Sequence, residues 1–233
     1  MNGESKIVQG QTVELEAARQ EMVARQIRDR GIRDERVLNA MRTVPRHLFV
    51  PPECESRAYS DQPLPIGEEQ TISQPFMVAA MAEALSLEGK ERVLEIGGGS
   101  GYQAAVLSQL ALEVIAIEAR PALAAAAANR IDRLGYRNVS LQIGDGSAGW
   151  PSHAPYEAIL VTAAAPSVPQ PLLDQLVEGG RLVIPVGQDE HQELLRLVKK
   201  EGRIARQSLY ACRFVPLVGR YGQRQDTRET SRG

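Results

Sequence analysis

The sequence holds little of what metal and thiol chemistry use: two cysteines and three histidines in 233 residues. Cys54 and Cys212 lie far apart and form no Cys-x-x-Cys pair, so both are expected to be reduced and partly buried. His47, His153 and His191 lack the spacing of a zinc site, and no metal is expected. No apolar run approaches the ~20 residues of a membrane span. The opening "MNGESKIVQGQTVELEAARQ" has neither the apolar centre nor the small-residue cleavage site of a secretory leader. An excess of one charge is missing too. The net charge is −2, and the arginines of "RQEMVARQIRDRGIRDER" alternate with acids, as on a solvated helix face. With aromatics at 4%, neither the basic surface nor the stacking platform for nucleic acid is there. These absences predict a cytoplasmic chain with no nucleic-acid or membrane partner. No long apolar edge or heptad suggests more than a monomer.

What is there is an ordinary globular composition, 43% hydrophobic and 24% charged, in a chain long enough for one sizeable core. Leu15, Met22, Val23 and Ile27 recur at helical spacing over residues 13–30, with Gly31 as a stop. Asp34 caps a second helix, "ERVLNAMRTV". The proline-rich stretch 51–75 reads as extended or looped chain, and Pro75 opens a third helix to about Leu87. From residue 91 strands alternate with helices: "RVLEI", "EVIAIE", "NVSLQIG", "YEAILVTAAA" and "GRLVIPVG", with helical "YQAAVLSQL" and "PALAAAAANRIDRLG" among them. "LLRLVKK" and "IARQSLYACRFVPL" form a terminal antiparallel pair. The pattern predicts a single α/β domain with a doubly wound, mostly parallel sheet. Residues 13–88 are its N-terminal helices and loop, 89–218 its core, and 219–233 a mobile tail with little to bury.

"EIGGGSGY" follows a strand and opens a helix, where such sheets bind nucleotide-like ligands. Gly97, Gly99 and Gly101 let the backbone turn and approach a ligand closely. The Lys-Ser/Thr of a Walker loop is absent. Gly99-x-Gly101-x-x-Ala104 also fits the alanine-ended dinucleotide fingerprint, which leaves an NAD enzyme open. An adenosyl cofactor without phosphates fits better. Glu118 ends the second strand, where a carboxylate accepts from both ribose hydroxyls. Asp145 of "GDG", next to Gly146, ends the third, where a carboxylate takes the adenine amino group. Glu95 completes a series of acids at successive strand ends. Upstream, "PLPIGEEQTISQPFM" carries Ser73 with no histidine within twenty positions on either side. Ser73 either caps the helix opening at Pro75 or belongs to a site. Ser100 is no hydrolase nucleophile, since position 102 is tyrosine rather than the second glycine of Gly-x-Ser-x-Gly.

Together with "VPRHLFVPP", "LPIGEEQTISQPFMVAAM", "GDGSAGW", "APYEAILVTAAAPSVPQPLLDQLVEGGRLVIPVG" and "RFVPLVG", these segments make residues 15 to 218 similar to the protein-L-isoaspartate O-methyltransferases. "TISQP" and "RFVPL" are the more specific of them. The resemblance implies the Rossmann-like fold of S-adenosylmethionine-dependent methyltransferases, with S-adenosylhomocysteine as product and no metal. It implies a cofactor site at Glu95, Gly97, Gly99, Gly101, Glu118, Asp145 and Gly146. It makes Ser73 the active-site residue, with Thr71, Ile72, Gln74, Phe214, Val215, Pro216 and Leu217 against the acceptor. That acceptor is the free α-carboxylate of an L-isoaspartyl residue in a damaged protein, with D-aspartyl residues as a further substrate. The methyl ester closes to a succinimide, which reopens partly to aspartate. Two positions depart from the family pattern: Gly98 replaces a frequent threonine, and Phe76 a frequent histidine.

The absence of a base beside Ser73 agrees with this chemistry. A carboxyl of pKa near ~3.5–4 is already ionised at neutral pH, so no proton has to be removed. Attack on a sulfonium methyl brings opposite charges together. Catalysis is then mainly alignment, which can supply up to ~7–11 kcal/mol. Two other readings compete: a methyltransferase acting on a small molecule or RNA, and an adenosyl-binding interaction module without chemistry. Intact Ser73, Glu118 and Asp145 argue against the module.

Overall fold

The computed structural model describes residues 13–188 and 190–223. Helix α1 spans 13–28, its last turns Met22–Arg28 being of the wider π type. Helix α2 is Glu35–Thr43, and Asp34 caps it by accepting from the Arg36 amide at 2.9 Å. The stretch expected as extended or looped chain is more ordered than that. It holds a 3₁₀ turn at Pro52–Arg57 and a hairpin of β1, Leu64–Gly67, and β2, Gln70–Ile72. The hairpin turns on Glu68 and Glu69, both at positive φ (52° and 58°), the backbone of a two-residue I′ loop. Helix α3 follows at Pro75–Leu85.

The main sheet has seven strands in the order β5-β4-β3-β6-β7-β8-β9. They are β3 Arg92–Ile96, β4 Glu113–Glu118, β5 Val139–Ile143, β6 Tyr156–Val161, β7 Leu176–Gln188, β8 His191–Lys200 and β9 Arg203–Cys212. The first five run parallel, and β8 and β9 each pair antiparallel with the strand before, the doubly wound sheet with a terminal pair that the alternation predicts. Helices α4 Tyr102–Ser108, α5 Pro121–Arg133 and α6 Gln170–Asp174 lie between strands. β3 buries both faces. Val93 packs into the core under the N-terminal helices, α3 and α4, whereas Leu94 and Ile96 enter the opposite core with Ile115, Ile159 and Leu172. The strand order reverses between β3 and β6, the switch point at which open α/β sheets leave a crevice.

"RFVPL" does not extend β9. Ala164 donates to the Val215 carbonyl and accepts from the Leu217 amide, both at 2.8 Å, so the segment lies beside the end of β6. The start of the expected tail is also tied down. The Arg220 amide donates to Asp145 Oδ2 at 2.8 Å and the Tyr221 amide to Ser147 Oγ at 2.9 Å. Residues 224–233 lie outside the described residues. Cys54 is buried, Cys212 half-buried, and both are free thiols. No helix among the described residues is long and apolar enough to cross a membrane.

Candidate active site

A cleft with about 1030 Å³ of free space, counting its open mouth, lies at the carboxyl ends of β3, β4 and β6. Its floor is the glycine turn. Gly97 has φ +95°, and a Cβ there would collide with Thr162 Oγ1. That hydroxyl donates to the Gly97 carbonyl at 2.7 Å, locking the turn against β6. Glu118 closes the side. Its Oε2 accepts from the Gly99 amide at 2.8 Å and its Oε1 from the Arg120 amide at 2.9 Å. Each oxygen keeps a second lone pair for a ligand hydroxyl.

Glu95 is the most unusual wall residue. It is fully buried, and neither carboxyl oxygen has a hydrogen-bond partner. Burial, with the Glu118 charge second, pushes its pKa well above the usual carboxylate value. Gln103, also on the wall, is buried with both amide atoms unpartnered. Native proteins leave few such groups, and several on one cleft wall mark where a polar ligand completes the bonding.

The opposite wall is built from Gln70, Thr71, Ile72 and Ser73 on one side and Val215, Pro216, Leu217 and Val218 on the other. The N-cap of α3 is Gln74, with no side-chain cap, so Ser73 is not the cap. The Ser73 carbonyl is held instead, by a hydrogen bond from Arg46 at 2.8 Å. Gln74 turns away to Asp61, donating at 2.8 Å.

Most of the residues predicted from sequence converge here: Glu95, Gly97, Gly99, Glu118, Gly146, Thr71, Ile72, Ser73 and Val215 to Leu217. Gly101, Gln74 and Phe214 stand outside the wall. Phe214 exchanges both backbone bonds with the Gln192 side chain. Asp145 also stands back. Its Oδ1 accepts from the Ser147 amide and hydroxyl and its Oδ2 from Arg220. Partial burial opposes ionisation, but these hydrogen bonds outweigh it and hold the carboxyl below its usual pKa. Sequence reasoning missed Gln103, Thr162, Tyr102 and Arg120. Only their nearness to strand ends and to the glycines could have signalled them.

The family model described as protein-L-isoaspartate(D-aspartate) O-methyltransferase matches residues 17–222. The chain belongs to this family. It is 56% identical over 204 residues to a protein-L-isoaspartate O-methyltransferase of Methanoculleus marisnigri, covering 88% of this chain and 93% of that one. It is 56% identical over 211 residues to protein-L-isoaspartate O-methyltransferase 2 of Geotalea uraniireducens, covering 90% and 97%. Among solved structures, a protein-L-isoaspartate O-methyltransferase overlays with a TM-score of 0.78 at 32% identity, covering 87% of this chain and 67% of that one. One from Plasmodium falciparum, in complex with S-adenosyl-L-homocysteine, gives 0.73 at 27%, covering 86% and 98%.

Both departures from the protein-L-isoaspartate O-methyltransferase pattern have local counterparts. A Cβ at Gly98 would come 3.1 Å from Leu141 Cδ1, so the missing side chain makes room for that leucine. Phe76 is buried, with the Arg30 guanidinium 3.9 Å above its ring and Tyr210 edge-on at 5.5 Å. That environment suits an uncharged ring.

Proposed function

We propose that this chain transfers a methyl group from S-adenosylmethionine to the α-carboxylate of L-isoaspartyl residues in proteins, and that D-aspartyl residues are a further acceptor. The observation that carries the reading is a serine free of capping, in a cleft whose lining holds no histidine, together with a glycine turn and an unpartnered buried acid. Glu95, Gln103 and the Gly97–Gly99 turn fit the cofactor, because their unsatisfied polar atoms and bare backbone are what an amino acid and a ribose use. Glu118 would hold the ribose hydroxyls with its free lone pairs, and Gly146, with Asp145 behind it, would border the adenine. When bound, this cofactor supplies a methyl group on a cationic sulfur.

The chain's own residues do the rest by alignment. Ser73 donates a hydrogen bond to the acceptor carboxylate, which arrives ionised and needs no base. Thr71 and Ile72 on one side and Val215 to Leu217 on the other hold the peptide backbone. The Val215 amide and the Pro216 carbonyl take part in none of the bonds to Ala164 and so remain for a partner strand. The ester product leaves for succinimide closure without further help. We assign the protein to the cytoplasm as a monomer that requires no metal and binds neither nucleic acid nor membrane. The test is transfer of labelled methyl to a synthetic isoaspartyl peptide as a base-labile ester. No label on the peptide, with label on RNA or a small molecule instead, would transfer the reading to another acceptor.

A further inference from the structure

One buried charge enters the account above only through its bond to the Ser73 carbonyl. Arg46, in the turn after α2, is fully excluded from solvent. Its Nε donates to the Ala58 carbonyl at 2.7 Å and its Nη2 to the Ser73 carbonyl at 2.8 Å, while Nη1 has no partner. The guanidinium carbon lies 4.9 Å from the centre of the Tyr102 ring, another residue of the cleft wall. Burial lowers its pKa, and only the Tyr102 and Tyr59 phenols oppose that. Neither is an anion at neutral pH, and among the described residues no carboxylate pairs with it. Arg181, by contrast, has Glu91 at 3.3 Å.

Arginine is almost never fully buried unless paired, because an unneutralised charge in the interior is costly. Bridging two carbonyls does not itself need a charge, since a neutral amide can donate to a carbonyl too. A guanidinium at this place therefore has a second use. It stays charged whatever its surroundings and presents a rigid fork. One arm of the fork fixes the carbonyl of Ser73, a residue of the cleft wall. Resting on the acceptor assignment above, we propose that Arg46 is a positioning and specificity residue. It sets the Ser73 loop, and its unneutralised charge, acting through Ser73 and Tyr102, makes the cleft select a carboxylate acceptor over a neutral one of the same shape.

The experiment compares the wild type with Arg46→Lys and Arg46→Gln. An isoaspartyl peptide is the substrate, and its α-carboxamide analogue is a competitive inhibitor. S-Adenosylhomocysteine binding and thermal unfolding serve as controls. The wild type should bind the carboxylate peptide about 10- to 100-fold more tightly than the carboxamide. Arg46→Gln should lose most of that preference through a raised KM, with S-adenosylhomocysteine affinity within about threefold of wild type. Arg46→Lys should keep the preference but turn over about tenfold more slowly, because an ammonium is no fork for two carbonyls. A merely structural arginine would shift the melting temperature and leave the carboxylate preference alone. Full preference in a folded Arg46→Gln chain overturns the proposal. If Arg46→Gln does not fold, wild-type kcat and KM in Arg46→Lys overturn it, and slower turnover with the preference kept supports it. A wild type that methylates the peptide without any carboxylate preference removes the proposal alone. A wild type that binds S-adenosylhomocysteine yet methylates no isoaspartyl peptide removes the acceptor assignment, and the proposal with it.

Discussion

Replacing Glu95 by glutamine removes one ionisable group and changes the shape of the cleft very little. The wild-type carboxyl is fully buried and unpartnered, with the Glu118 carboxylate as the charge that adds to its desolvation. Its pKa is therefore raised well above the ordinary value of 4.5. The sign follows from that direction. The protonated form carries the stability, in full below 4.5, and stability is lost as pH rises from there through the folded-state pKa. Each pH unit in that window costs about 1.4 kcal/mol. A cationic cofactor entering the cleft favours the ionised form, so binding expels the proton. Affinity for S-adenosylmethionine should then rise about tenfold per pH unit across the same window. In Glu95→Gln both slopes disappear, and the empty protein becomes more stable at neutral pH. Calorimetry as a function of pH above 4.5, in two buffers of different ionisation enthalpy, counts the protons: up to one released by the wild type within the window and none by the variant. A wild type that releases no proton and binds with pH-independent affinity would refute the reasoning.

Ser73→Ala should lower turnover on an isoaspartyl peptide by about 10- to 100-fold, one transition-state hydrogen bond, with S-adenosylhomocysteine affinity unchanged. Full turnover in that variant would remove the hydroxyl from the mechanism. Asp145→Ala frees the Arg220 amide and, if the proposed adenine contact is made, should weaken S-adenosylmethionine binding by about 1.5–3 kcal/mol. Unchanged affinity by calorimetry would leave Asp145 as a clasp for residues 219–223 alone. Gly97→Ala forces a side chain to positive φ and onto Thr162 Oγ1, and should cost about 1–3 kcal/mol in thermal unfolding. An unaltered melting temperature there would mean that the turn is not locked as described.

The parts of the fold legible in the sequence were those set by local pattern. The β-branched runs of β3, β4 and β6, the helix opened by Pro121 and the Asp34 cap each depend on neighbours a few residues away. The hairpin of β1 and β2 was not legible, because prolines broke any alternation and two glutamates took the positive-φ positions that Asn-Gly usually marks. In the cleft, the acids at strand ends could be read from sequence. What they touch could not. Asp145 is claimed by the Arg220 amide 75 positions away, and Ser73 is held by Arg46 27 positions before it. Such contacts arise from tertiary packing and leave no periodicity behind. "RFVPL" is strand-like in sequence, yet the segment lies beside Ala164 rather than at the edge of β9.

The central claim is that the cleft reads the path of the backbone through a carboxylate-bearing residue. Isoaspartyl and aspartyl residues share their atoms and charge, so attraction to a sulfonium cannot separate them. On the acceptor site proposed above, that discrimination falls to the walls formed by Thr71 to Ser73 and Val215 to Leu217. A path one methylene wrong displaces the carboxylate by roughly an ångström, an error that costs about 100-fold in rate. The direct measurement is methylation, with labelled S-adenosylmethionine, of two peptides of identical sequence, one isoaspartyl and one aspartyl. The account predicts a rate difference of at least about 100-fold in favour of the isoaspartyl peptide, and comparable methylation of the two would contradict it.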